Sequence, residues 1–210
     1  MASRGADAAA VALGYGLGSL PFGVWMSRAR RGLDVREHGS GSAGATNVMR
    51  VAGPAAGAAT FGLDFAKGWA AVQLARGAGA SRHGQAAAGV AAVVGHCWPA
   101  LAHFRGGKGV TPAFGGLTAL SPRASAHAVA GGLPALAVSR TVSVGSLGAS
   151  ISATLTSLCD LRGERADPLT AAFASAVTSI IIARHEGNIR RLWAGTEPRL
   201  DGGSAQRAAG

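Results

Sequence analysis

Charge is scarce in this sequence. Only 14 % of its 210 residues are charged, against roughly 25 % in an ordinary soluble domain. Aromatic residues make up 5 % and acidic residues number 10. With just 2 cysteines, a disulfide-stapled secreted fold is excluded. Neither a Cys/His cluster with metal-ligand spacing nor a carboxylate pair occurs in the motifs described below, so no metal or other cofactor is expected. Intrinsic disorder does not fit so few charges and so much apolar surface. A soluble Ala-rich bundle would need a charged outer face, and the long segments here have none.

What the chain has instead is uncharged length. Hydrophobic residues make up 48 %, Gly alone supplies 33, and mean hydropathy is +0.26. Residues 8–27, 51–75, 84–104, 109–122, 124–139, 141–159 and 168–183 form a series of runs, interrupted only by Asp64 and Lys67 within the second. A membrane span takes roughly 20 such residues. The pattern therefore predicts an all-α, polytopic integral membrane helical bundle of about seven transmembrane helices, or five if 109–139 re-enters at Arg123. The first run is read as an uncleaved span and not a signal peptide. Small residues in these runs allow close helix–helix approach. Asp64 and Lys67, three apart, can pair within their span.

A net charge of +10 would suggest nucleic acid in a soluble protein. Here the basic residues sit between the runs, and no nucleic-acid partner is implied. With the N-terminus outside, 13 Lys and Arg fall in cytoplasmic segments and 6 in outer ones, as the positive-inside rule requires.

Three stretches on that cytoplasmic side carry chemistry. The first runs from Arg36 to Arg50. Gly39, Gly41 and Gly44 let its backbone turn tightly and aim N–H groups at an anion. Ser40, Thr46 and Asn47 add neutral donors, and Arg50 adds a permanent charge. The literal G-x-G-x-x-G from Gly39 to Gly44 is no dinucleotide fingerprint, since no strand precedes it. The second stretch, Gly106-Gly107-Lys108-Gly109, opens a helix. It fails as a Walker A sequence, yet amides, a helix N-terminus and Lys108 suit a phosphate. The third has two parts: Ser143 and Ser146 at the start of the sixth run, then His185, Asn188 and Glu197 after the seventh. On a helix His185 and Asn188 share a face. Together these describe a cytoplasmic anion-binding site in a span bundle.

With Gly18-Ser19-Leu20-Pro21-Phe22-Gly23, Gly95-His96-Cys97-Trp98-Pro99 and these three stretches, the chain resembles the bacterial acyl-phosphate:glycerol-3-phosphate acyltransferases, the PlsY family. The blocks stand in the family's order over residues 18–197. The resemblance implies transfer of a fatty acyl group from acyl phosphate to the 1-hydroxyl of glycerol 3-phosphate. The products are lysophosphatidic acid and phosphate, in the first step of phospholipid synthesis. It implies that Ser40, Arg50, His185 and Asn188 are needed for activity, that the turn around Lys108 binds glycerol 3-phosphate, and that Glu197 is structural. A seven-span fold in the bacterial plasma membrane, with the site facing the cytoplasm, is implied as well. Residues 1–197 would form a single membrane-embedded acyltransferase domain and 198–210 a disordered cytoplasmic tail. The chain departs from the family in having Ser42 for the usual Asn, and Thr111-Pro112-Ala113 for the commoner Ala-Thr-Ala. Proline is tolerated in a first helical turn.

An acyl phosphate is a mixed anhydride with a good leaving group, so catalysis by positioning and charge stabilisation suffices. Either the donor phosphate or His185 accepts the alcohol proton, and Ser40 acts as a hydrogen-bond donor. The thioester-dependent acyltransferases use His-x-x-x-x-Asp, and no His here has Asp five residues on. A small transporter or channel for organic phosphates is the alternative. It would predict an internal repeat, and none is found. Membrane lipid is the expected surrounding, and the sequence is compatible with a monomer but leaves oligomeric state open.

Overall fold

Proline and glycine decide where the helices break. The computed structural model describes residues 4–163 and 167–200, in which every regular element is helical. These are α1 (Arg4–Gly18), α2 (Phe22–Arg31), α3 (Ala45–Ala52), α4 (Pro54–Gly77), α5 (Arg82–Cys97), α6 (Val110–Leu120), α7 (Pro122–Ser139), α8 (Val142–Asp160), α9 (Pro168–Arg184) and α10 (Glu186–Trp193), with 3-10 turns at Val35–Glu37 and Ala100–Ala102.

The expected first span is two helices, α1 and α2. Pro21 lacks an N–H and disfavours a helical residue before it, so the chain breaks there. The Leu20 carbonyl then accepts from Lys67 Nζ of α4 at 3.0 Å. The second run likewise divides at Gly53, whose φ of 96° is open to glycine, and α4 begins at Pro54. The run 109–139 resolves into α6 and α7. At 11 residues α6 is about 16 Å long, short of the roughly 30 Å hydrocarbon thickness. The third run ends early, at Cys97, ahead of Pro99. By length and composition, Arg4–Arg31 and Val142–Asp160 can each cross a membrane.

The chain divides into two compact units, Met1–Pro122 and Arg123–Gly210. In the first, α1 lies so close to α5 that a side-chain carbon on Gly14 or Gly18 would strike the backbone at Ala88 or Ala92. Gly68 of α4 and Gly115 of α6 make the same kind of approach between those helices. In the second, Gly131 and Gly132 of α7 meet Ser152 and Ala149 of α8. The α8 and α9 helices are joined by Thr178, which donates to the Ser150 carbonyl at 3.0 Å.

The distribution of side-chain size inverts that of a soluble protein. Alanine dominates the buried set, whereas Phe61, Trp69 and Leu74 of α4, Leu133 of α7 and Leu155 of α8 are exposed. Small residues inside and large apolar residues outside are what lipid-facing helices need. The tail expected to be disordered from 198 is held as far as Leu200, whose N–H donates to the Arg140 carbonyl at 2.8 Å. Its remaining residues, 201–210, lie outside the described residues.

Candidate functional site

The first glycine-rich loop is organised around two side chains. Asp34 caps the Val35–Glu37 turn, accepting from the Arg36 N–H. The Arg36 guanidinium grips that carboxylate through Nε and Nη2, at 2.9 and 2.7 Å, and its third nitrogen donates to the Ala102 carbonyl at 2.7 Å. That single arginine fastens the first loop to the second across 66 residues. The Arg36 hydrogen bonds hold the Asp34 carboxyl well below the usual carboxylate range, against the opposing effect of burial.

Asn47 is the second organiser, and it differs from the outward donor expected. It is 2 % exposed. Its oxygen accepts from Ser40 N–H at 3.0 Å, and its nitrogen donates to the carbonyls of Val35, His38 and Ser42 at 2.9 to 3.0 Å. The amide is spent on the loop's own backbone. Gly39 and Gly41 adopt the left-handed conformation, at φ of 60° and 69°, and a side chain on Gly39 would collide with the Asn47 oxygen. The expected row of amides aimed at an anion is also modified. The Gly41 N–H donates to the His38 carbonyl, and the Gly44 N–H donates to the Ser42 hydroxyl at 3.2 Å. Ser42 thereby stabilises the turn it occupies. The loop's outward donors are side chains: Ser40 and Arg50 are exposed and Thr46 half-buried.

The second turn lies beside the first, within the same unit. The Ala43 N–H reaches the Gly106 carbonyl at 3.5 Å, and the Gly107 N–H donates to the His96 carbonyl at 3.0 Å. Gly106 and Gly107 are buried, Lys108 is half-buried, and Gly109, at φ 84°, opens α6. The helix begins where the sequence predicts, with Pro112 accommodated in its first turn. A pocket opens here, lined among others by Gly23, Ala43, Lys67, His96, Arg105 and Gly107.

In the second unit, Glu197 gathers the third motif. One of its oxygens accepts from the Ser143 hydroxyl at 2.8 Å and from Asn188 Nδ2 at 2.5 Å, and the other accepts from Arg191 Nε at 2.7 Å. Burial raises the Glu197 carboxyl, but these donors outweigh it and hold the group below the ordinary value. His185 does not share one helix with Asn188. It forms the corner between α9 and α10, and both residues are buried. Its Nδ1 lies 2.8 Å from the Ile181 carbonyl. A carbonyl can only accept, so Nδ1 carries the proton, and Nε2 is the basic nitrogen of the neutral ring. Ser146 is half-buried, and its carbonyl accepts from Ser150.

The geometry adds Asp34, Arg36 and Arg191 to the residues predicted from sequence. Asp34 and Arg36 are an acid and a base two apart beside the glycines, a visible signal. Their hold on Ala102 is a long-range contact that spacing does not reveal.

Comparison with known proteins places the chain in a family. A family model described as glycerol-3-phosphate acyltransferase matches residues 8–195. A glycerol-3-phosphate acyltransferase of Myxococcus xanthus is 42 % identical over 193 residues, covering 91 % of this chain and 98 % of that relative. One from Prochlorococcus marinus is 40 % identical over 188 residues, covering 90 % and 92 %. Two solved structures of PlsY, an integral membrane glycerol 3-phosphate acyltransferase, are each 35 % identical to this chain and cover 92 % of it. Its glycerol 3-phosphate form superposes with a TM-score of 0.84 over 95 % of that chain, and its lysophosphatidic acid form with 0.82 over 94 %. With its small-residue helix seams, its outward-facing large apolar side chains and its three motifs in order, this all-helical integral membrane chain belongs to the glycerol-3-phosphate acyltransferase family.

Proposed function

We propose that this chain transfers a fatty acyl group from acyl phosphate to the 1-hydroxyl of glycerol 3-phosphate, releasing lysophosphatidic acid and phosphate. Residues 1–197 act as one acyltransferase, as the family match over residues 8–195 supports. The reading rests above all on one observation: every polar side chain among the candidate site residues is a neutral group or a cation, apart from Glu197, whose carboxylate is already engaged by Ser143, Asn188 and Arg191. Such a set binds and steadies anions, and contains no side chain poised for covalent attack.

In this scheme Lys108 and Arg50 hold phosphate groups by charge. The Ser40 hydroxyl and Thr46 donate hydrogen bonds beside them, while Gly39, Gly41, Gly44 and Asn47 shape the loop, and Gly106, Gly107 and Gly109 shape the turn. Ser143 and Asn188, fixed by Glu197, set the third motif, with Ser146 one turn further along. The acceptor hydroxyl attacks the acyl carbon, the acyl–phosphate bond breaks, and phosphate leaves with the electron pair. The alcohol proton passes to the donor phosphate, with His185 Nε2 supporting the hydroxyl. The enzyme lies in the bacterial plasma membrane with its N-terminus outside and its motif loops on the cytoplasmic side, as the distribution of Lys and Arg supports.

Purified protein supplied with acyl phosphate and glycerol 3-phosphate should release phosphate at a rate that depends on both. Release that ignores glycerol 3-phosphate would contradict the proposal. The transporter alternative has no structural observation in its favour and is set aside.

A further inference from the structure

Three ionisable side chains are buried in the first unit without any role in the scheme above. Asp64 and Lys67, one turn apart on α4, are 1 % and 5 % exposed, and His96 in the last turn of α5 is 6 % exposed. Lys67 Nζ lies 2.8 Å from Asp64 Oδ1, and His96 Nδ1 faces the same oxygen at 3.4 Å. Lys67 also donates to the Leu20 carbonyl in the α1–α2 break and sits over the Phe22 ring, 5.6 Å from its centroid. Removing charges from water costs free energy that their attraction often fails to recover, so a buried ion pair is poor as a stability device. The other oxygen, Asp64 Oδ2, is buried with no hydrogen-bond partner, which makes the arrangement costlier still. The cluster lines the same pocket as Gly106 and Gly107.

The contact between that cluster and the second motif is direct. The His96 carbonyl accepts the Gly107 N–H at 3.0 Å. The same residue's imidazole fills the space that a side chain on Gly107 would need, and its carbonyl fills the space next to Gly106. One histidine is thus both hydrogen-bond anchor and floor for the turn that ends in Lys108. Its ring orientation is set by Asp64, and Asp64 is set by Lys67.

We propose that Asp64, Lys67 and His96 are positioning residues. They form a buried relay that fixes the glycine turn at 106–109 and so places the Lys108 ammonium for the acceptor phosphate. This rests on the acyltransferase reading above. It assigns the relay to acceptor binding and leaves the donor untouched.

Steady-state kinetics on the full-length protein in lipid nanodiscs tests it. A displacement of about 1 Å in a positioning group can cost up to about 10²-fold. His96→Leu and Asp64→Asn are therefore expected to raise the KM for glycerol 3-phosphate by roughly 10- to 100-fold, with the KM for acyl phosphate close to the parent's. His96→Asn, whose amide nitrogen takes the place of Nδ1 toward Asp64, should recover most of the loss. Should His96→Leu not fold, Gly107→Ala, whose added carbon would strike the His96 ring, forces turn and ring apart with Asp64 and Lys67 intact and should give the same one-sided rise. A parent-like KM for glycerol 3-phosphate in either folded variant would overturn the relay. So would a uniform fall in kcat with both KM values unchanged. A parent protein that transfers no acyl group would defeat the proposed function and the relay together, whereas an active parent with indifferent variants defeats the relay alone.

Discussion

At the scale of single residues, two candidate site side chains are fixed by backbone. Asn47 gives its whole amide to four backbone groups, and His185 gives its Nδ1 proton to the Ile181 carbonyl. Lys108 reads in sequence as a candidate phosphate ligand because it stands between glycines at a helix start. Asn47 was legible only as a polar residue, since nothing in its spacing says which way an amide will point. The Lys108 reading predicts that Lys108→Ala chiefly raises the KM for glycerol 3-phosphate. Losing a charge-assisted contact costs about 1.5–3 kcal/mol, or roughly 10- to 150-fold. An unchanged glycerol 3-phosphate dependence would show that the side chain only reaches for the membrane surface. For His185, proton transfer to the donor phosphate leaves the ring a supporting role. His185→Gln should then retain much of its rate, well short of the roughly 10²–10⁴ loss expected when a general base is removed. A loss of that size would assign the proton to Nε2.

Among elements, the helical runs were readable and their interruptions were not. Apolar length marks α4, α8 and α9 with boundaries close to those expected, and α5 with an end seven residues early, at Cys97. The break before Pro21 needed a three-dimensional reason to be tolerated, namely that Lys67 caps the exposed Leu20 carbonyl. A charge within a span thus compensates a gap in another helix, and no one-dimensional pattern carries that information. The same holds for Glu197. Resemblance marks it as structural, but only the fold shows that it ties α8 to α10 through Ser143, Asn188 and Arg191. Because its folded pKa is lowered, the ionised carboxylate contributes stability above its unfolded value, near 4.3, and that contribution fades as pH falls through the lower folded value. The parent should therefore melt at a higher temperature than Glu197→Gln at neutral pH, and the gap should narrow as pH drops below about 4.3. A gap in Tm that stays constant across that range would remove the carboxylate's charge from the account.

On the scale of the whole molecule, two properties follow from where charge is and is not. Burying small residues while exposing large apolar ones commits the chain to lipid. Under the proposed topology, with the N-terminus outside, 13 Lys and Arg fall on the inner side and 6 on the outer, and that excess would orient the chain. Leu33→Cys, in the first motif loop and with the native Cys97 and Cys159 replaced by Ser, should resist an impermeant thiol reagent applied outside intact cells and react after permeabilisation. Labelling from outside would invert the topology. The absence of a His-x-x-x-x-Asp dyad bears on the donor in turn, since a thioester demands more activation of the acceptor hydroxyl than these residues offer. The most direct measurement is lysophosphatidic acid formation by the purified protein from glycerol 3-phosphate, with acyl phosphate and an acyl thioester offered separately. Acyl transfer from acyl phosphate and none above background from the thioester is the predicted result. Equal rates from both donors, or product from the thioester alone, would contradict it.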